Sequence, residues 1–136
     1  MRFLLAVPVL GIVIIAYLVM ALGGGLMLDA DAFTTSLVSG AQFTLRSGDF
    51  FTLAGLVALF FEMIKAARAG SGTILDHMLS TAVFVAALVC FLLVAACGTA
   101  TFFLLTVLTL IDVVAGFSVS IFSTRRDYSI NRDGGL

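Results

Sequence analysis

One acidic residue, Asp112, lies deep inside a long apolar stretch and could carry chemistry. It falls about eleven residues into a predicted span over residues 101–122 and about ten from its end, close to the bilayer midplane. A charged carboxylate at that depth costs about 2.5–3.5 kcal/mol, so the side chain should be protonated, paired or turned towards protein. We therefore expect an uncharged or hydrogen-bonded Asp112, with Tyr17 as the first candidate partner.

Two roles are open for Asp112. As a functional group it would bind a proton or a cation. As a structural group it would join two helices by donating to a backbone carbonyl or to Tyr17. Small residues share its helix face and let another helix approach closely, and the sequence predicts no second acid or base at the midplane to continue a relay. The pattern favours the structural role, with a helix-packing face formed by Ala115, Gly116 and Ser120.

A second group of titratable residues is predicted at the membrane edge, and it consists of Glu62, Lys65, Asp76 and His77. Glu62 and Lys65 have the spacing of a helix-surface pair, and an imidazole titrates near physiological pH. A role in pH sensing or ligand entry is one interpretation. Solvated caps that flank a loop are the other, and exposed pairs of this kind are common, so the pattern favours the caps.

The composition identifies the elements that must position these residues. Hydrophobic residues make up 62% of the chain, charged residues 11%, and the mean hydropathy is +1.24. Soluble domains have roughly 45–50% apolar and about 25% charged residues. We predict an all-α integral membrane bundle of four transmembrane helices in a single domain, with spans over residues 3–28, 50–67, 77–97 and 101–122.

The polar segment between the first two spans, residues 29–49, supports two structures. Apolar residues recur there at i, i+4, i+8 and i+12, which predicts a short interfacial helix. The alternation over residues 42–46 supports an extended hairpin instead. We expect the helix, whose apolar face would consist of Phe33, Leu37, Ala41 and Leu45.

The basic residues predict the orientation. Four spans place most of them on one side of the membrane and Arg46 on the other, and the side rich in basic residues is normally cytoplasmic. We expect both termini in the cytoplasm, a polar cytoplasmic tail over residues 123–136, and a location in a bacterial inner membrane. The residues on the basic side are Arg2, Lys65, Arg68, Arg125, Arg126 and Arg132.

The function that this sequence favours is that of an accessory or structural subunit. No nucleophile has a base at a suitable spacing, and no metal-ligand cluster or phosphate-binding loop is present, so we expect no enzyme activity, no metal and no cofactor. The formal net charge of -1 leaves no basic surface for nucleic acid. The expected partners are the lipid bilayer and other membrane subunits or copies of the chain. The alternative is an oligomeric proton or ion channel or transporter that uses Asp112.

Overall fold

The computed structural model describes residues 8–23, 28–68 and 74–130, without the side chains of residues 68, 74, 120 and 122–130. The described chain is mainly helical, with one two-stranded hairpin. In chain order the elements are α1 (Val9–Leu22), β1 (Asp31–Ser36), β2 (Gln42–Arg46), α2 (Ser47–Arg68), α3 (Ile74–Leu93), a 3-10 segment (Ala95–Cys97) and α4 (Ala100–Ile130).

Three of these helices are long and apolar enough to cross a membrane, over Ser47–Ala67, Leu75–Leu93 and Ala100–Val119. The chain is therefore a membrane-embedded protein. The prediction of four spans is confirmed only in part, because α1 has 14 residues and covers about 21 Å of a hydrocarbon core of about 30 Å. Of the rest of the first predicted span, residues 3–7 and 24–27 lie outside the described residues, and Pro8, Gly23 and Leu28 are described but not helical.

The boundaries of the last two helices also differ from the predicted ones. α3 ends at Leu93, and the chain continues through Val94 into the 3-10 segment, so the third predicted span over residues 77–97 is not one helix. α4 continues to Ile130, so the first part of the predicted tail is helical. Residues 131–136 of that tail lie outside the described residues.

The helices run alternately up and down. Leu10 at the start of α1 bonds to Glu62 late in α2, whereas Tyr17 further along α1 packs on Phe51 early in α2. α3 and α4 are joined by the short 3-10 segment and pack on each other, so they are antiparallel as well. We name the end where α1 begins and α2 finishes the acidic end. The opposite end, where the strands join α2, is the hairpin end.

One narrow stripe on each helix forms the core. α2 and α4 approach each other closely, because a Cβ added at Gly55 would lie 2.8 Å from Leu105 and 2.9 Å from Leu108. Among the described side chains of α3 only that of Ala87 is fully buried, and the helix packs mainly on α4, so most of its described surface faces the surroundings of the bundle. The core residues are Leu10, Ile14, Tyr17, Ala58, Leu59, Ala87, Cys97, Phe102, Leu105 and Leu108.

The segment between α1 and α2 is a β-hairpin, so the predicted interfacial helix is wrong. The two strands pair antiparallel, with Phe33 opposite Leu45. Leu37 and Ala41 flank the turn, where Gly40 has a φ of 84° that favours glycine. The four apolar residues thus recur at four-residue intervals because they lie symmetrically about a turn, and the alternation over residues 42–46 was the correct signal.

Candidate functional site: an acidic pair between two helices

Glu62 belongs to the packed face of α2. In the second half of this helix the buried residues are Gly55, Ala58, Leu59 and Glu62, which recur at i, i+3, i+4 and i+7. Glu62 is only 6% exposed. It lies inside the span Ser47–Ala67, about 8 Å from its end at 1.5 Å per residue. Its carboxyl group therefore enters the protein interior and not the headgroup layer.

The first turn of α1 binds one oxygen of this carboxyl group. The backbone N–H of Leu10 donates to Glu62 Oε1 over 3.1 Å. Amides in the first turn of a helix have no partner within the helix, and the positive end of the helix dipole favours a carboxylate. Pro8, at the N-cap position of α1, has no side-chain cap, so Glu62 takes over part of that task.

The other oxygen, Oε2, is buried and has no hydrogen-bond partner among the described residues. The carboxyl group of Asp112, on α4, is close enough to act on Glu62 through its charge. Two ionised carboxylates cannot bond to each other, because neither has a hydrogen to donate. A proton on either acid would supply the missing hydrogen-bond donor, so the two carboxyl groups could share one proton.

Asp112 therefore has an acidic neighbour that the sequence reasoning missed. It lies within the span Ala100–Val119, about 10 Å from its end, which is close to the depth of Glu62. Sequence reasoning placed Glu62 in the headgroup layer because it started the second span at Phe50. The buried stripe of α2, which includes Glu62, was the signal that could have found the pair.

Tyr17 is not brought to Asp112. Its hydroxyl group and Thr99 Oγ1 form a hydrogen bond of 2.6 Å at the hairpin end, and its ring contacts Phe102. Asp112 lies about 15 Å further along α4 than Phe102. Thr99 Oγ1 also accepts the backbone N–H of Phe102 over 3.1 Å, which caps the start of α4.

The predicted group at the membrane edge is divided in the structure. Glu62 belongs to the acidic pair with the half-buried Asp112, and the charge of Lys65 acts on Glu62 from the next turn of α2. Asp76 is in the first turn of α3. The half-buried imidazole of His77 stacks on Phe117, with ring centroids 5.4 Å apart and planes 20° apart.

The predicted packing face of α4 contacts α3 at Gly116. A Cβ added there would lie 2.8 Å from His77 Nδ1, so the imidazole occupies the space that a larger residue would fill. Ala115 is half-buried, and the side chain of Ser120 lies outside the described part of the chain.

The described residues at the acidic end offer few side chains that could bind a metal ion. Within residues 8–23, 28–68 and 74–130, no three or more His, Cys, Asp or Glu side chains are placed to hold a metal ion. Comparison of the chain with protein-family models, with curated protein sequences and with solved structures finds no match.

Proposed function

We propose that this chain is a small integral membrane protein that binds and releases a proton at Glu62 and Asp112, as part of a proton-translocating assembly. The observation that carries the proposal is the buried Glu62 Oε2, which has no donor in the described structure and belongs to a carboxyl group on which the charge of Asp112 acts. Ionisable groups inside membrane spans are rare and costly, and they commonly belong to proton or ion pathways.

A proton fits this site better than a metal ion does. One of the four carboxyl oxygens already accepts the N–H of Leu10. The nearby threonine hydroxyls are also engaged, since Thr106 donates to Phe102 O and Thr109 donates to Thr106 O. Ca²⁺ takes six to eight oxygen ligands and Mg²⁺ requires an octahedron, which two carboxyl groups cannot supply alone.

Proton movement across the membrane would require several copies of the chain or a partner. One acidic pair among four helices does not form a continuous polar path, and conduction requires a chain of sites. The excess of basic residues beside the acidic end supports a cytoplasmic location for that end in a bacterial inner membrane. The pair would then exchange protons with the cytoplasm first.

The test is proton flux into vesicles. The purified protein is reconstituted with a pH-sensitive dye inside, and flux is started with a potassium diffusion potential. We expect measurable uptake by the natural chain and at least a tenfold loss in Asp112→Asn and in Glu62→Gln, because neither side-chain amide can ionise at ordinary pH. Asp76→Asn is the matched control, since it removes the same charge near the same end of the bundle but outside the pair.

Flux equal to that of empty vesicles for the natural chain would contradict translocation by the chain alone. Flux that survives both pair substitutions would contradict the assignment of the site. All variants must be recovered at the natural assembly mass before their flux is compared.

A second candidate function is that of an accessory subunit, as the sequence favours. The supporting observation is α3, whose membrane span is only 6% buried. An open groove of about 760 Å³ runs along this helix, is lined by apolar side chains and has His77 and Phe117 at one end. Another helix would fit such a surface, and so would lipid.

Purification in mild detergent distinguishes the two functions. A stoichiometric partner, no proton flux and unchanged assembly in Asp112→Asn would favour the accessory role. A homo-oligomer whose flux depends on the pair would favour proton translocation.

A further inference from the structure

The hairpin at the hairpin end has two chemically different faces. In an antiparallel pair, residues directly opposite each other project to the same side of the sheet, and neighbours along a strand project to opposite sides. One side therefore carries Phe33, Thr35, Phe43 and Leu45. The other side carries Thr34, Ser36, Gln42 and Thr44.

The polar face is satisfied by its own hydrogen bonds. Thr34 and Thr44 share a hydroxyl hydrogen bond of 3.2 Å, and the amide of Gln42 donates to Ser36 Oγ over 3.0 Å. This face can be solvated by water without further partners. The hairpin therefore has a side that suits an aqueous surface.

The aromatic face is uncovered in the described structure. Phe33 is 54% exposed and Phe43 is 43% exposed. The hairpin contacts α2 at its root, but the helices do not bury this face. A two-stranded hairpin is at best marginally stable alone in water, so a second medium or surface is needed to cover these rings.

The root of the hairpin is fixed at the end of a membrane span. No residue separates the last strand residue, Arg46, from the first residue of α2, Ser47, where the span begins. The N–H of Ser47 donates to Ala30 O over 2.9 Å, and that of Gly48 donates to Leu28 O over 2.8 Å. The hairpin is thus held where hydrocarbon gives way to lipid headgroups.

We propose that the hairpin lies on the bilayer surface, with Phe33 and Phe43 in the boundary between headgroups and acyl chains and with its polar face towards water. Amphipathic elements adopt this orientation, and aromatic rings are enriched at this depth. The occupant of the aromatic face is thus the phospholipid of the membrane that the helices cross. This inference is independent of the proton site.

Single tryptophan substitutions test the proposal, because the natural chain contains no tryptophan. Phe43→Trp and Thr44→Trp place the same fluorophore on adjacent residues that face opposite sides. The variants are reconstituted in vesicles of phosphatidylcholine and phosphatidylglycerol, and some of the lipids carry a spin label near the headgroup. We expect the label to quench position 43 several-fold more than position 44, and iodide in the water to quench position 44 several-fold more than position 43.

Equal quenching of both positions by iodide would overturn the proposal, because the hairpin would then stand in water. Protection of position 43 from both quenchers would overturn it as well, because protein would then cover the aromatic face. Phe33→Trp and Thr34→Trp repeat the comparison on the other strand and must give the same pattern. A variant whose circular dichroism differs from that of the natural chain is replaced by its counterpart on this second strand.

Discussion

The two ends of the bundle hold their buried polar groups in different ways. At the hairpin end, the hydroxyl groups of Tyr17 and Thr99 bond to each other, and Thr99 also accepts the amide of Phe102. At the acidic end, Glu62 accepts the amide of Leu10 with one oxygen, and its other oxygen has no donor among the described residues.

Under the proposed function, this difference separates a structural polar group from one that binds a proton. A network in which each group has its partner fixes the position of a helix and has no capacity to bind anything more. A buried polar atom without a partner is destabilising, and it is retained where it serves a purpose. Substitutions at the hairpin end should therefore change stability, whereas substitutions at the acidic end should change proton binding.

The largest loss of stability is expected at Tyr17, which is fully buried. Tyr17→Ala removes its packing against Phe51 and Phe102 and leaves a cavity, so the free energy of unfolding should fall by about 3–5 kcal/mol. Reversible unfolding in mild detergent or bicelles measures the change. Phe50→Ala is the control, because this neighbouring ring is exposed and its loss should cost about 0.5 kcal/mol or less. Equal losses in the two variants would contradict a packed hairpin end.

A smaller, local effect is expected at Gly40, whose φ of 84° lies in the left-handed region. Gly40→Ala should destabilise the turn by about 1–2 kcal/mol, because a Cβ is strained in this conformation. Amide hydrogen exchange of the paired strand residues should accelerate by about 5–30-fold, while exchange in the helices stays unchanged. Val38→Ala is the control at a fully exposed turn position. An unchanged exchange rate in the strands would show that the hairpin does not depend on this turn.

The smallest change in stability is expected when both acids are replaced by amides. Glu62→Gln retains an oxygen for the N–H of Leu10, and its new NH₂ group can donate to the amide oxygen that Asp112→Asn keeps. The free energy of unfolding of the double variant should stay within about 1 kcal/mol of that of the natural chain. If the free energy of unfolding fell by more than about 3 kcal/mol, the pair would instead be an interhelical contact that stabilises the bundle.

The sequence was a good guide to the apolar helices, because a bilayer accepts few other structures. The composition and the long apolar runs predicted a membrane-embedded, mainly helical chain, and three long helices confirm this coarser statement. The first span was predicted too long at its end, because the run of apolar residues continues past Gly23, whereas α1 ends at Leu22. Hydropathy measures the preference of residues for lipid and does not detect where a helix ends.

Only one of the two acids of the candidate site could be predicted from the sequence. Depth and charge selected Asp112, because those properties are local in the sequence. Its neighbour Glu62 is far away along the chain, and only the packing of α2 on α4 brings the two carboxyl groups together. The contribution of Leu10 is a backbone amide, which has no sequence signature at all. The hairpin was missed because symmetric pairing about a turn imitates the spacing of a helix.

The central claim is that one proton is shared between Glu62 and Asp112, and infrared difference spectroscopy in vesicles tests it most directly. A protonated carboxyl group has a C=O stretch that an ionised one lacks and that shifts in D₂O. We expect the natural chain and Asp76→Asn to show such a band and to lose it as the pH rises. Both Asp112→Asn and Glu62→Gln should lack the band at every pH. A band of full intensity in both pair variants, or no band in the natural chain at any pH, would contradict a shared proton.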